Sequence, residues 1–435
     1  MILLVALALA QEVPDLGTRK PGSDWPAFLG PRHNGTSDET GLPARWPEKG
    51  PRLVWQRELG EGFAACSVAR GRLFQYDRGR LQCLKSETGE PIWTYEHGSD
   101  YRDSYGSGDG PRCCPVVDGE RVFILGPDGL LQSIRVNDGS CEWKVKTSTE
   151  FGVVPNFFGV GSTPIVEGDL LLCMIGGSPP NSPGIESGDV RGQGSGIVAF
   201  EKRSGKVRYK LTDELASYSS PVTATIGGRR WGFVFARGGL VGFDPEKGTV
   251  DFHHPWRAPM IPSVNICTPV VGGDLVFVSE AYGMGSSVVR VRPGACEVVW
   301  KDGRKRDRSM SSYFDTPVLV EGVLYGSSGQ GKHEAELRAV ELATGKVRWS
   351  EPGLSRCSLL YVDGHFVCLS EEGVLRLLRA NPDRYEEVSK VTLKSAGGEP
   401  LLGEPAWAAP VLSHGLLYVR GRDRLVCLEL IPSNK

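Results

Sequence analysis

Arg112, Tyr218, Asn265, Tyr313, Asp315 and Trp407 each stand just ahead of a short apolar run, as Arg112 does before PVVDGERVF, Asn265 before PVVGGDLVFV and Asp315 before PVLVEGVLY. If those runs are equivalent elements, their leading residues gather in one place. An arginine opposite a carboxylate, with aromatic rings beside them, suits a small polar ligand, because guanidinium–carboxylate hydrogen bonds are charge-assisted and directional. The same groups also serve by satisfying one another or by holding buried water, as most buried polar groups do.

Cys113 and Cys114 are the second pair with chemical potential. Adjacent α-carbons lie only about 3.8 Å apart across a trans peptide, below the usual disulfide range, and neighbours on a strand point to opposite faces. Cys114 also falls in a series with Cys66, Thr163, Ser220, Thr268 and Thr316, all small residues at the same place in successive runs. The reading is two small unpaired core residues side by side. Of the 11 cysteines, Cys83, Cys173, Cys368 and Cys427 sit inside apolar runs, where a thiol behaves as a small hydrophobe, and the odd total leaves at least one unpaired. Other signals are weaker. GQGSG at 192–196 does not join a strand to a helix, His253–His254 has no partner at metal-ligand spacing, and HEAE at 333–336 is not H-E-x-x-H. The basic run 304–308 contains Asp307 and reads as a solvated loop.

The elements that must position these residues are repeats. Residues 316–349, TPVLVEGVLYGSSGQGKHEAELRAVELATGKVRW, hold four short strands separated by turns, the content of one propeller blade. The phrase recurs at 66–93, 114–143, 163–209, 220–252, 268–300, 359 to about 388, and 409–430. The third copy is enlarged by the Gly/Pro/Ser-rich insertion 176–196, and the seventh is degenerate. The last copy has three strands, and the strand near 53–55 has no partners ahead of it. Pairing the two closes a ring and removes two exposed sheet edges. The expectation is an all-β, eight-bladed propeller of four-stranded antiparallel blades over 25–435, closed by that N-terminal strand. The large ring that ends a copy, Trp55, Trp93, Trp143, Trp300 or Trp349, is expected to dock one blade on the next, above a glycine that adopts positive φ in the turn. Where Tyr209, Phe252 or nothing clear replaces Trp, weaker docking is expected.

The 57 glycines and 30 prolines fall between apolar runs and read as turns. A formal net charge of −2 with mixed signs gives no nucleic-acid-binding face. MILLVALALA at 1–10, ending in small residues, reads as a signal peptide, which implies a periplasmic or secreted protein. Residues 11–24 are polar and are expected to be a disordered lead. No stretch is long enough for a membrane span, and the chain is expected to act as a monomer.

The turn-plus-Trp phrase resembles the tryptophan-docking motif of PQQ-like propeller repeats, roughly A-x-D-x-x-T-G-x-x-x-W. The matches run from Thr88-Gly89 to Trp93, Asp138-Gly139 to Trp143, Ser204-Gly205 to Tyr209 and Thr344-Gly345 to Trp349. DWPAFLGPRHNG and SYSSPVTATIGGRRWGFVF are similar to secreted bacterial proteins of this kind. The resemblance brackets two functions. One is the BamB type, a protein-binding scaffold without cofactor. The other is the quinoprotein alcohol dehydrogenase type, which binds PQQ and calcium on the axis and acts on alcohols or sugars. On the second, Cys113–Cys114 corresponds to a vicinal disulfide beside PQQ, and Glu186, Asn265 and Asp315 are the calcium candidates. The chain has no C-x-x-C-H haem motif. The expectation is therefore a non-catalytic, exported binding or scaffold propeller without cofactor. It is expected to take a protein or a small polar ligand at an axial mouth formed by Arg112, Tyr218, Asn265, Tyr313, Asp315 and Trp407.

Overall fold

Alternating apolar residues with a turn every few positions give strands with one face each way, and packing sheets face to face around an axis buries both faces of each. The computed structural model, which describes residues 13–303 and 308–433, has this arrangement: eight four-stranded antiparallel sheets, seven of them built from strands consecutive in sequence and one of those carrying an added two-residue strand. Blade 1 comprises Ser67–Ala69, Arg72–Asp77, Arg80–Lys85 and Pro91–Glu96. Blades 2 to 7 open with Val116–Asp118, Ile165–Glu167, Val222–Ile226, Val270–Gly272, Val318–Val320 and Cys357–Val362. Blade 8 has Val411–Ser413, Leu416–Arg420 and Arg424–Glu429, and its outer strand is Arg52–Glu58 from the other end of the chain. Trp55 lies opposite Cys427, and Arg52 opposite Glu429. The seventh copy is longer than its sequence phrase, ending in the strand Glu387–Thr392.

Every outer strand carries a register shift at the same place, just before the docking ring in seven blades and before Ser389 in blade 7: Leu53/Trp55 in blade 8, Cys141/Trp143 in blade 2, and their equivalents elsewhere. A bulge there turns the ring out of its own sheet toward the next. The indole N–H of Trp55 donates to Ser86 O (3.0 Å), Trp93 to Val136 O (2.9 Å), Trp143 to Lys202 O (3.1 Å), Trp300 to Leu342 O (2.8 Å) and Trp349 to Asn381 O (2.9 Å). Each acceptor belongs to the following blade. Gly139 and Gly345, at φ of 74° and 73°, lie against Trp93 and Trp300 so closely that a Cβ would sit 2.7 and 2.8 Å from the ring. Tyr209 departs from the expectation of weak docking, since its hydroxyl donates to Pro245 O at 2.6 Å and replaces the indole N–H. Phe252 has no such group and the turn glycine of blade 5, Gly294, stands clear of any ring. That junction is held instead by Trp256, whose N–H donates to Gly285 O (3.0 Å).

Around the axis a second set of links joins blades. The amide of Cys114 donates to Thr163 Oγ1 (3.0 Å), Thr163 to Ser220 Oγ (3.1 Å), Ser220 to Thr268 Oγ1 (3.3 Å) and Thr268 to Thr316 Oγ1 (3.1 Å). The series of small residues is thus a chain of hydroxyl acceptors at the inner wall.

The segment after residue 24 crosses one end of the channel. Trp25 exchanges two 2.8 Å hydrogen bonds with Val68 of blade 1, and Pro26 O accepts from Val117 of blade 2. Gly35 O accepts from Tyr361 of blade 7, beside which Thr36–Ser37 adds a parallel strand. The lead expected to be disordered differs over its described residues, 13–24. Pro14 O accepts from Arg72 (2.7 Å), Leu16 N–H donates to Arg70 O (3.2 Å), Lys20 O contacts His414 (3.0 Å), and Val13 is buried. Arginine donors on blade 1 give this polar stretch backbone partners that its composition did not reveal. The apolar residues 1–10 lie outside the described residues. No helix among the described residues is long and apolar enough to cross a membrane.

Candidate functional site: an aromatic well on the propeller axis

In an antiparallel blade the connection to the next blade and the turn between its second and third strands emerge on one face. The residues two places ahead of each small inner-wall residue converge there. Arg112, Gly161, Tyr218, Ile266, Phe314 and Trp407 all line one axial cavity of about 170 Å³. Tyr313, one place earlier, also lines it and packs on Phe314. Phe63, Phe158 and, from the segment that crosses the channel, Phe28 complete an apolar lining. Phe28 also borders the small space beneath, between blades 3, 4 and 5 and His33, so it acts as the floor.

The rings form two groups bridged by Arg112. Centroids are 4.9 Å apart for Phe63–Trp407, 5.5 Å for Phe314–Trp407 and 5.9 Å for Phe158–Tyr218. Two arginines lie on them. The Arg112 guanidinium is 5.7 Å from the centroids of both Phe63 and Phe158, and that of Arg356 is 5.2 Å from Tyr313 and 5.7 Å from Trp407. Each cation is matched to a carboxylate whose side chain is only 1% exposed. Arg112 pairs with Asp103 at 3.2 Å, and Arg356 makes a bidentate pair with Glu371 at 2.9 and 2.5 Å. The Trp407 indole N–H donates to the same Glu371 carboxylate at 3.0 Å. Burial pushes the Glu371 carboxyl up, but the hydrogen bonds from Arg356 and Trp407 outweigh it and hold the group below the usual carboxylate range.

Of the six mouth residues expected from sequence, the structure brings Arg112, Tyr218, Tyr313 and Trp407 together. Asn265 and Asp315 are corrections. Asn265 lies three places ahead of Thr268 and Asp315 one place ahead of Thr316, and both side chains enter the wall. The Asn265 amide donates to Ala236 O (2.6 Å) and Trp256 O (3.3 Å), and the Asp315 carboxylate accepts from Ser327 N–H (2.9 Å). Burial raises the Asp315 carboxyl to about 7. The third calcium candidate, Glu186, is exposed on the insertion and accepts from Tyr105 (2.9 Å). These three do not form a donor set, and among the described residues no group of three or more His, Cys, Asp or Glu side chains is arranged to hold a metal.

Cys113 and Cys114 are both free. Cys113 points its thiol at Ser162 O (3.3 Å) in the core between blades 2 and 3, whereas Cys114 borders the well. Burial pushes the Cys113 thiol up and that of Cys114 to about 12, so neither is a thiolate nucleophile near neutrality. The Tyr218 phenol, raised by burial, accepts from Phe158 N–H at 2.6 Å and stays protonated.

Arg356 and Glu371 were not legible as site residues because blade 7 begins at Cys357, two residues earlier than its sequence phrase suggests. Counting back from the true start places Arg356 directly ahead of it. Phe28 was legible only as a buried aromatic, since nothing local says that its segment crosses the channel.

Known proteins agree with this architecture. The family model described as "Outer membrane protein assembly factor BamB" matches residues 47–212 and 190–387. Among solved structures, BamB from Moraxella catarrhalis superposes with a TM-score of 0.57 at 13% identity, covering 87% of this chain and 97% of that one. The quinohemoprotein alcohol dehydrogenase from Comamonas testosteroni gives 0.63 at 14% identity, covering 95% and 81%. The computationally designed Ika8 protein gives 0.53 at 10% identity, covering 87% and 100%. No curated protein matches in sequence. At these identities the structures speak for fold, and the family rests on the two matched spans, which together cover most of the chain: it belongs to the BamB family of PQQ-like β-propellers.

Proposed function

We propose that this protein is a non-catalytic binding propeller, exported on the apolar segment 1–10, that receives its ligand or partner in the axial well. The observation that carries the reading is the state of the two mouth arginines. Both are already neutralised by buried carboxylates and placed over aromatic rings, 5.7 Å from Phe63 for Arg112 and 5.2 Å from Tyr313 for Arg356, so they organise a surface and leave no free charge to stabilise a reacting group. Among the described residues the well also holds no activated thiol or Tyr218 phenolate, because burial keeps Cys114 and Tyr218 protonated near neutrality.

The likeness in fold to a quinohemoprotein alcohol dehydrogenase supports a second reading, a PQQ- and calcium-dependent oxidoreductase. The residues present fit that group poorly. A tricarboxylic quinone needs free cationic donors, whereas Arg112 and Arg356 are committed, and Glu186, Asn265 and Asp315 point to separate partners. Incubating the purified protein with PQQ and calcium, then removing excess, tests the choice. The binding reading predicts no retained quinone absorbance and no alcohol- or sugar-dependent dye reduction. Stoichiometric retention with turnover overturns it.

A further inference from the structure

Resting on the reading that the mouth binds, we infer that the axial well receives a single uncharged ring, carried as a side chain on a partner protein. Size sets the first limit. The cavity of about 170 Å³ is close to the engineered apolar cavity of about 150 Å³ that holds one benzene.

Charge sets the second. Aromatic faces ordinarily attract a ligand cation, but here the Arg112 guanidinium, which lines the well, already lies over Phe63 and Phe158, and that of Arg356, outside the lining, lies over Tyr313 and Trp407. A further cation meets like charge. An anion meets spent donors instead. Arg112 is committed to Asp103 and to the carbonyls of Gly110 and Gly108, and Arg356 to Glu371 and Gln330 O. What remains for a ligand is ring surface and the small wall residues, among them Ala65 and Ala409. The bond from Trp407 to Glu371 fixes that ring in advance, which lowers the ordering cost of binding.

The third limit is the rim. Tyr105, Met260 and Ile261 stand 48%, 45% and 42% exposed on the connections between blades 1 and 2 and between blades 4 and 5, the face on which the well opens. One ring in the well leaves this apolar rim uncovered, and a protein surface around the ring covers it.

Saturation-transfer NMR on the full chain tests the inference with benzyl alcohol, benzoate, phenyltrimethylammonium and N-acetyl-phenylalaninamide. Benzyl alcohol and the amide are expected to bind, and the two ionic probes about tenfold or more weakly. Ala409→Phe, which fills the well from its wall, is expected to remove the neutral signals while the thermal midpoint stays in place. If that variant does not fold, the order of the probes in the unaltered protein decides. Tighter binding of benzoate or phenyltrimethylammonium, lost in Ala409→Phe, overturns the uncharged ring and leaves the mouth as a binding site. Binding of benzyl alcohol without the amide overturns the protein-borne source. Probe signals that are all unchanged by a folded Ala409→Phe overturn the mouth reading itself.

Discussion

Asp315 shows how one residue of offset separates a site from a wall. Phe314 reaches the well, whereas the Asp315 carboxyl is enclosed beside Ser327 and raised to about 7 by burial. The folded chain therefore holds a proton that the unfolded chain, with a carboxyl near 4, gives up. Stability from this site is present at low pH and falls as pH rises from about 4 to about 7, because the folded state binds more protons over that window. Asp315→Asn keeps an acceptor for Ser327 and removes the titration. Its thermal midpoint is expected to gain on the parent between pH 5 and pH 8, and a constant difference across that range contradicts the assignment. From sequence, the polar types of Asn265 and Asp315 suggested a mouth. The side-chain direction that sends them into the wall depends on where each inner strand begins, which residue type alone does not state.

The blade junction is the element on which the wheel's stiffness depends. Five indole N–H groups and the Tyr209 hydroxyl perform the same task, each donating to a carbonyl of the next blade. Tyr209→Phe and Trp300→Phe each remove one such bond while keeping a ring over the turn glycine. Each is expected to cost about 1 kcal/mol in chemical denaturation. No loss in Tyr209→Phe contradicts the hydroxyl as an equivalent of the indole. The repeat itself was legible, because Gly turns, apolar alternation and the closing ring recur together at 88–93, 138–143 and 344–349. The substitution of phenol for indole was not, since a tyrosine in that place reads as a weaker ring until its acceptor is seen. Nor was the Phe252 junction, where Trp256 takes over from four residues further on.

At the scale of the molecule the N-terminal segment does two things. Residues 25–37 give the channel a floor in Phe28, and the strand Arg52–Glu58 completes blade 8. The second was legible by counting strands, as a lone strand at one end and a missing one at the other call for each other. The first was not, because the contacts of Trp25, Pro26 and Gly35 with blades 1, 2 and 7 arise only once the ring exists. A closed wheel is what turns scattered leading residues into one well, so closure is the claim beneath every other. Hydrogen exchange read by mass spectrometry tests it without altering the chain. The amides of 52–58 are expected to be protected as strongly as those of 424–429 and to open together with them as denaturant is raised. Rapid exchange of 52–58 beside fully protected 424–429 contradicts closure.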